Sequence, residues 1–221
     1  MIPLILVAVA LVSYLVGTVS GPDVVVRRVL HVNVRRSARG SIGYKALSHR
    51  FGLKWELLAA GVDVFKSIVA VVIGGLLLRI PGSGFPVIGK LFAGFCLVLG
   101  DVWPIQRYFR GGKGVICLLT ALWLADWRAG IFAFAVFIAV LALSQFMSLA
   151  SLAACFTGVI AAWVFVDTEQ LKGLSGVLML FSFLVIAWRH RGNISRLLAK
   201  NEPKITWGRA PERKLRDDNF F

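Results

Sequence analysis

The stretch best suited to chemistry is Tyr108-Phe109-Arg110-Gly111-Gly112-Lys113-Gly114-Val115. Its glycines let backbone N–H groups approach an anion closely and permit positive φ. A helix starting just after them aims its positive end at the same point, and Arg110 and Lys113 add charge. Such a loop suits a phosphate monoester or an acyl phosphate. The nucleotide-binding spacing G-x-x-x-x-G-K-[ST] is absent, and a glycine-rich turn between two helices is the plainer alternative.

A second constellation follows the last apolar run. His190, Asn193 and Arg196 recur at helical spacing, with Glu202 beyond them. On one helix leaving a membrane this places an imidazole, an amide and a guanidinium on roughly one face. The alternative is a polar surface stripe. Asp63 and Lys66 stand three apart inside an apolar run, a spacing that permits an ion pair. A charge at that depth costs about 2.5–3.5 kcal/mol on insertion scales, so the pair either faces a protein-lined cavity or fixes helix packing. Asp101, just before Trp103 and Pro104, reads as a counter-ion or a proton acceptor. Ser144, Gln145, Ser148 and Ser151 cluster at one tight turn, where helix capping is the ordinary use of Ser148. Cys96, Cys117 and Cys155 sit in apolar runs without metal-ligand spacing and read as buried free thiols.

The elements that must carry these residues are membrane helices. Of the 221 residues 58% are hydrophobic, above the roughly 45–50% of soluble domains. They gather into runs near 2–20, 56–78, 86–104, 114–126, 129–146, 148–166 and 172–188. The run 114–126 is short against the ~20 residues of a full span. The first run has no basic segment before it, which favours a first span over a cleaved signal. Charge fixes the orientation. Twenty of the 25 basic residues fall in the loops 21–54 and 105–113 and in the tail 189–221. Seven spans with the N-terminus outside put all three segments on the cytoplasmic side, whereas six would expose the basic tail. The expected architecture is therefore all-α and polytopic, a seven-span membrane domain over residues 1–200 with a basic cytoplasmic tail over 201–221. The net charge of +14 then answers to lipid headgroups and anionic metabolites rather than to nucleic acid.

Taken together these stretches resemble the membrane glycerol-3-phosphate acyltransferases that use an acyl phosphate donor, and the resemblance covers most of the chain. Ser13-Tyr14-Leu15-Val16-Gly17-Thr18 looks like the end of that family's first span, and Asp63-Val64-Phe65-Lys66 like its D-x-x-K. Gly100-Asp101-Val102-Trp103-Pro104 through Val115 resembles its second motif, and Gln145-Phe146-Met147-Ser148-Leu149-Ala150-Ser151 its S-L-G-S turn. Its third motif is matched by Arg189, His190, Asn193, Arg196 and Glu202. The first motif, G-S-G-N-x-G-A-T-N, falls on Ala38 to Ala46, where only Gly40, Gly43 and the free position Ile42 fit. Its serine becomes Arg39 and its asparagines Ser41 and Ala46, and the arginine that follows it falls at His49, one place before Arg50. Asp101 stands in the place of a histidine and Gly192 in that of an acidic residue.

The resemblance implies seven spans, a cytoplasmic active site in the plasma membrane, and acyl transfer from acyl phosphate to glycerol 3-phosphate giving lysophosphatidic acid. It implies Lys113, His190 and Asn193 as catalytic residues. Gly111, Gly112, Gly114 and Arg110 would hold the acyl phosphate, while Arg39, Ser41, Gly43, Lys45, Ser148, Arg196 and Glu202 would complete the substrate site. No cofactor and no metal are expected, nor nucleic acid; the partners are the two substrates and membrane lipids, and the protein is expected to be a monomer. The alternative is a homologue with altered or lost catalysis that binds a phosphorylated lipid or a membrane partner. A transporter is a third reading, motivated by Asp63 and Lys66, but no inverted repeat is visible.

Overall fold

A computed structural model describes residues 2–31, 43–79, 86–166 and 172–204, without the side chains of Lys45, His49 and Lys172. Arg39 and Ser41 lie outside the described residues. All regular structure among the described residues is helical: α1 (Ile2–Gly17), α2 (Gly21–Val24) running into a π-helical turn (Val25–Val29), α3 (Tyr44–Phe51), α4 (Leu53–Arg79), α5 (Pro86–Val102), a 3₁₀ turn (Ile105–Arg107), α6 (Val115–Ala125), α7 (Trp127–Ser144), α8 (Met147–Phe165), α9 (Lys172–Arg189) and α10 (Arg191–Leu198).

Each expected apolar run carries a helix, but they differ in reach. The helices α4, α7 and α8, and the segment from α5 to Arg107, are individually long and apolar enough to cross a bilayer. The first and last runs instead belong to bent pairs. The axis turns by 53° between α1 and Gly21–Val29, and by 58° between Gly173–Arg189 and α10. The expected single helix carrying His190, Asn193 and Arg196 out of the membrane is thus broken at His190, the residue that precedes α10. Eleven-residue α6 rises only about 16 Å at 1.5 Å per residue, roughly half the ~30 Å hydrocarbon core. Its shortness has local causes at both ends. Gly114 enters it at φ +76°, and Asp126 caps α7 by accepting the Arg128 N–H at 2.8 Å.

Small residues bring the helices together, as expected where lipid removes the hydrophobic drive for association. Gly17 of α1 lies against Leu97 and Gly100 of α5, Gly74 of α4 against Gly89 and Ala93, and Gly94 against Ala121 of α6. Leu97, Val98, Val102, Leu122, Met179 and Ile186 form the core between α5, α6 and α9. Outward faces keep large apolar side chains such as Phe65, Phe134 and Trp163 exposed, an arrangement suited to lipid. The contacts also order the ends. The C-termini of α1, α5, α7 and α9 and the N-termini of α4, α6 and α8 gather at one end of the bundle. Cys96, Cys117 and Cys155 are free and buried, as expected.

Candidate active site

At that end the glycine stretch folds back onto the end of α5. The Gly111 N–H donates to Val102 O (3.2 Å), the Gly112 N–H to Asp101 O (2.8 Å), and the Gly114 N–H to Asp101 Oδ2 (3.0 Å). The expected cradle of glycine N–H groups is therefore corrected: all three are spent on protein acceptors. The glycines serve close approach instead. A Cβ on Gly111 would overlap Asp101 O, and one on Gly112 the Asp101 carboxylate. Arg189, at the end of α9, grips the loop's other side, donating from Nε to Gly112 O at 3.0 Å and from its terminal nitrogen to Gly111 O at 2.9 Å. Arg107 ties the preceding turn to Asp23 (3.0 Å) and to Thr18 O (2.8 Å). Held on three sides, the loop presents Lys113 outward while the first turn of α6 brings its N–H groups to the same end. Arg110 is exposed.

Lys113 reaches the C-terminal segment. Its Nζ donates to Asn193 Oδ1 at 2.9 Å, and Asn193 Nδ2 in turn donates to Glu202 Oε1 at 2.8 Å. Glu202 collects two further donors, Ser148 Oγ on Oε1 and Arg196 Nε on Oε2, each at 2.8 Å. One carboxylate thus joins α8, α10 and the glycine loop. Ser148 is not a cap; the bend that precedes α8 leaves it facing Glu202. Glu202, at the start of the expected 201–221 tail, is only 6% exposed. Burial alone would raise the Glu202 pKa, but the hydrogen bonds from Asn193, Ser148 and Arg196 bring it down to about 2.

His190 fills the bend between α9 and α10 and is fully buried. Its Nδ1 lies 2.8 Å from Ile186 O, so it donates there and leaves Nε2 as the acceptor. Burial, and then the nearby Lys113 ammonium, push its pKa down to about 4. Gly43 caps α3 and is exposed, and Lys45 lies in the first turn of that helix. The structure therefore brings Lys113, Asn193, Arg196, Glu202 and Ser148 into one hydrogen-bonded chain, with His190 beside it and Arg110 apart. No cluster that could hold a metal occurs among the described residues.

The match to known proteins is broad. The family model for glycerol-3-phosphate acyltransferase matches residues 7–200. The chain belongs to the glycerol-3-phosphate acyltransferase family. Proteins named glycerol-3-phosphate acyltransferase from Clostridioides difficile (strain 630) and Myxococcus xanthus (strain DK1622) are each 32% identical to it. Each match covers 90% of this chain, and 95% and 98% of those proteins respectively. The crystal structure of PlsY (YgiH), an integral membrane glycerol 3-phosphate acyltransferase, superposes in its glycerol 3-phosphate form with a TM-score of 0.75. That match has 23% identity and covers 91% of this chain and 96% of that one. The same protein's lysophosphatidic acid form gives a TM-score of 0.73.

Among members of the acyltransferase family this chain is thus an integral membrane protein of the same fold. That Arg189 and Asp101 support the glycine loop is visible only in the structure. The third-motif match marks Arg189, and Asp101 reads from the sequence as a counter-ion or proton acceptor in a histidine's place, but neither reading assigns it to the loop. The signal for both was position: a charged residue where a span ends, with a glycine loop to meet it.

Proposed function

We propose that this protein transfers an acyl group from acyl phosphate to the 1-hydroxyl of glycerol 3-phosphate, releasing phosphate and lysophosphatidic acid. The chain Lys113–Asn193–Glu202–Ser148, drawn from three separate stretches at one end of an apolar bundle, is the observation that carries this reading. Family membership supplies the substrate class. Seven crossings, an outside N-terminus, a cytoplasmic site in the plasma membrane, a monomeric state and no nucleic-acid partner complete the proposal. The gathering of all basic segments' flanking helix ends at one end of the bundle supports that topology.

An acyl phosphate is already activated, so no acyl-enzyme is needed. The hydroxyl oxygen attacks the acyl carbon, the bond from that carbon to the bridging oxygen breaks, and the electron pair leaves with phosphate. Lys113 and the first turn of α6 face charge that grows on the leaving phosphate, the electrostatic contribution that usually dominates such transfers. Gly111, Gly112 and Gly114 shape the loop that presents Lys113, and Arg110 adds long-range attraction. Asn193 orients Lys113, while Arg196, Lys45, Arg39, Ser41 and Gly43 serve the glycerol phosphate. Glu202 and Ser148 hold Asn193 and Arg196 in place. His190, its Nδ1 already spent on Ile186 O and its pKa at about 4, is a weak base. A phosphate oxygen, with a second pKa near ~6, is the stronger proton acceptor. The hydroxyl proton therefore ends on phosphate.

The deciding experiment uses purified protein in detergent with palmitoyl phosphate and glycerol 3-phosphate. Phosphate release and acyl product are followed beside Lys113→Ala. Product that disappears with Lys113 supports the transfer. A folded, monodisperse protein that makes none leaves the binding-only homologue as the better account, which the rewritten first motif favours.

A further inference from the structure

Directly beneath the site, Asp63, Lys66 and Asp101 are buried where α1, α4 and α5 meet. Lys66 Nζ lies 2.7 Å from Asp63 Oδ1 and 3.3 Å from Asp101 Oδ1. It also donates to Gly17 O at 3.3 Å and to Val19 O, at the end of α1. The two carboxylates also reach three further segments, the start of α2, the start of α3 and the glycine loop. Asp63 Oδ2 accepts from the Tyr44 hydroxyl and Oδ1 from the Gly21 N–H at 2.9 Å. Asp101 Oδ2 accepts from the Gly114 N–H and packs beneath Gly112. One ionic cluster thus fastens both the start of α3 and the glycine loop. Two carboxylates share one ammonium, so every remaining donor matters to a buried group that water does not reach. Tyr44 stands where the first motif has alanine, and Asp101 where the family has histidine. Two departures from the pattern meet at one cluster.

We propose that Tyr44 and Asp101 are positioning residues that lock the start of α3 and the glycine loop in register through Asp63 and Lys66. Displacing one segment then displaces the other. The kinetic consequence rests on the acyl-transfer reading above; the mechanical one does not.

The test takes Tyr44→Phe, Asp101→Asn and Asp101→Glu in the full-length protein in detergent. Hydrogen–deuterium exchange is followed on peptides covering 43–51 and 110–118, with kinetics in each substrate separately. A lost hydrogen bond to a buried carboxylate is expected to speed exchange about tenfold. With Tyr44→Phe the acceleration should appear in 110–118 as well as 43–51, and with Asp101→Asn in 43–51 as well as 110–118. Asp101→Glu should restore part of the protection. Each disruptive variant should raise both KM values more than it lowers kcat. Exchange that quickens only in the peptide bearing the substitution overturns the coupling. If the wild-type protein transfers no acyl group, the acyl-transfer reading falls and the exchange result still decides the coupling. Tyr44→Phe removes a single oxygen and settles the matter alone if Asp101→Asn does not fold.

Discussion

At the residue scale, the site turns on what each polar group already holds. Lys113 is positioned by Asn193, and Asn193 by Glu202, so the effects of substitution should grade along the chain. Lys113→Ala should lower kcat/KM at least about 100-fold, in line with loss of a group aimed at developing charge. Glu202→Gln weakens three donors at one step removed and should cost about ten- to 100-fold, with Asn193→Ala between them. Steady-state assays of the three variants check that order; a Glu202 effect larger than the Lys113 effect would reverse the assignment. The acid limb of stability has a defined sign. His190 has a folded pKa below its ordinary 6.5, at about 4, and Glu202 one below 4.5, at about 2. Both groups therefore bind fewer protons folded than unfolded. Their stabilisation is present above the unfolded values and is lost as pH falls, His190 between about 6.5 and 4 and Glu202 between about 4.5 and 2. Melting in detergent should decline from near pH 6 downward, and His190→Gln should remove the upper part of that decline.

At the element scale, the loop between α5 and α6 works because glycine lets it lie against the α5 terminus. Gly112→Ala sets a methyl into the Asp101 carboxylate, and Gly114→Ala asks an L side chain to take φ +76°. The first should abolish turnover by moving Lys113, while the second should cost about 1 kcal/mol of stability with partial activity. Gly173→Ala, where nothing lies within 4 Å, is the matched control and should leave both unchanged. Melting curves and turnover on the three proteins separate these cases. The bend at His190 belongs to this scale too. Helical spacing alone implied a straight exit for α9, yet the useful geometry arises because the chain turns there and lays α10 over the glycine loop.

At the scale of the whole molecule, the alternation of helix ends sets which loops share an end of the bundle. The buried native cysteines leave engineered ones legible. Leu198 lies at the site end and Trp127 at the opposite end, and both are exposed. A membrane-impermeant thiol reagent should label Trp127→Cys in intact cells and Leu198→Cys only after permeabilisation. The opposite pattern would invert the proposed orientation and move the site outside.

The sequence by itself determined the class of molecule and the approximate place of every apolar helix. Long apolar runs have few alternatives when each backbone polar group must be satisfied inside lipid. It also marked Lys113 through the glycine-rich stretch, Asn193 and Arg196 through helical spacing with Glu202 beyond them, and Ser148 through a polar cluster at a tight turn. Only the tertiary structure decided what those groups do to one another. That Glu202 holds Ser148 and Asn193 together depends on a contact spanning 54 residues, which no local spacing encodes. That the glycine N–H groups are spent on α5, and that Arg189 and Asp101 clamp the loop from two sides, follows from how α5 and α9 pack. Periodicity tells which face of a helix is apolar; it does not tell which neighbour that face meets, and the site is made by the meeting.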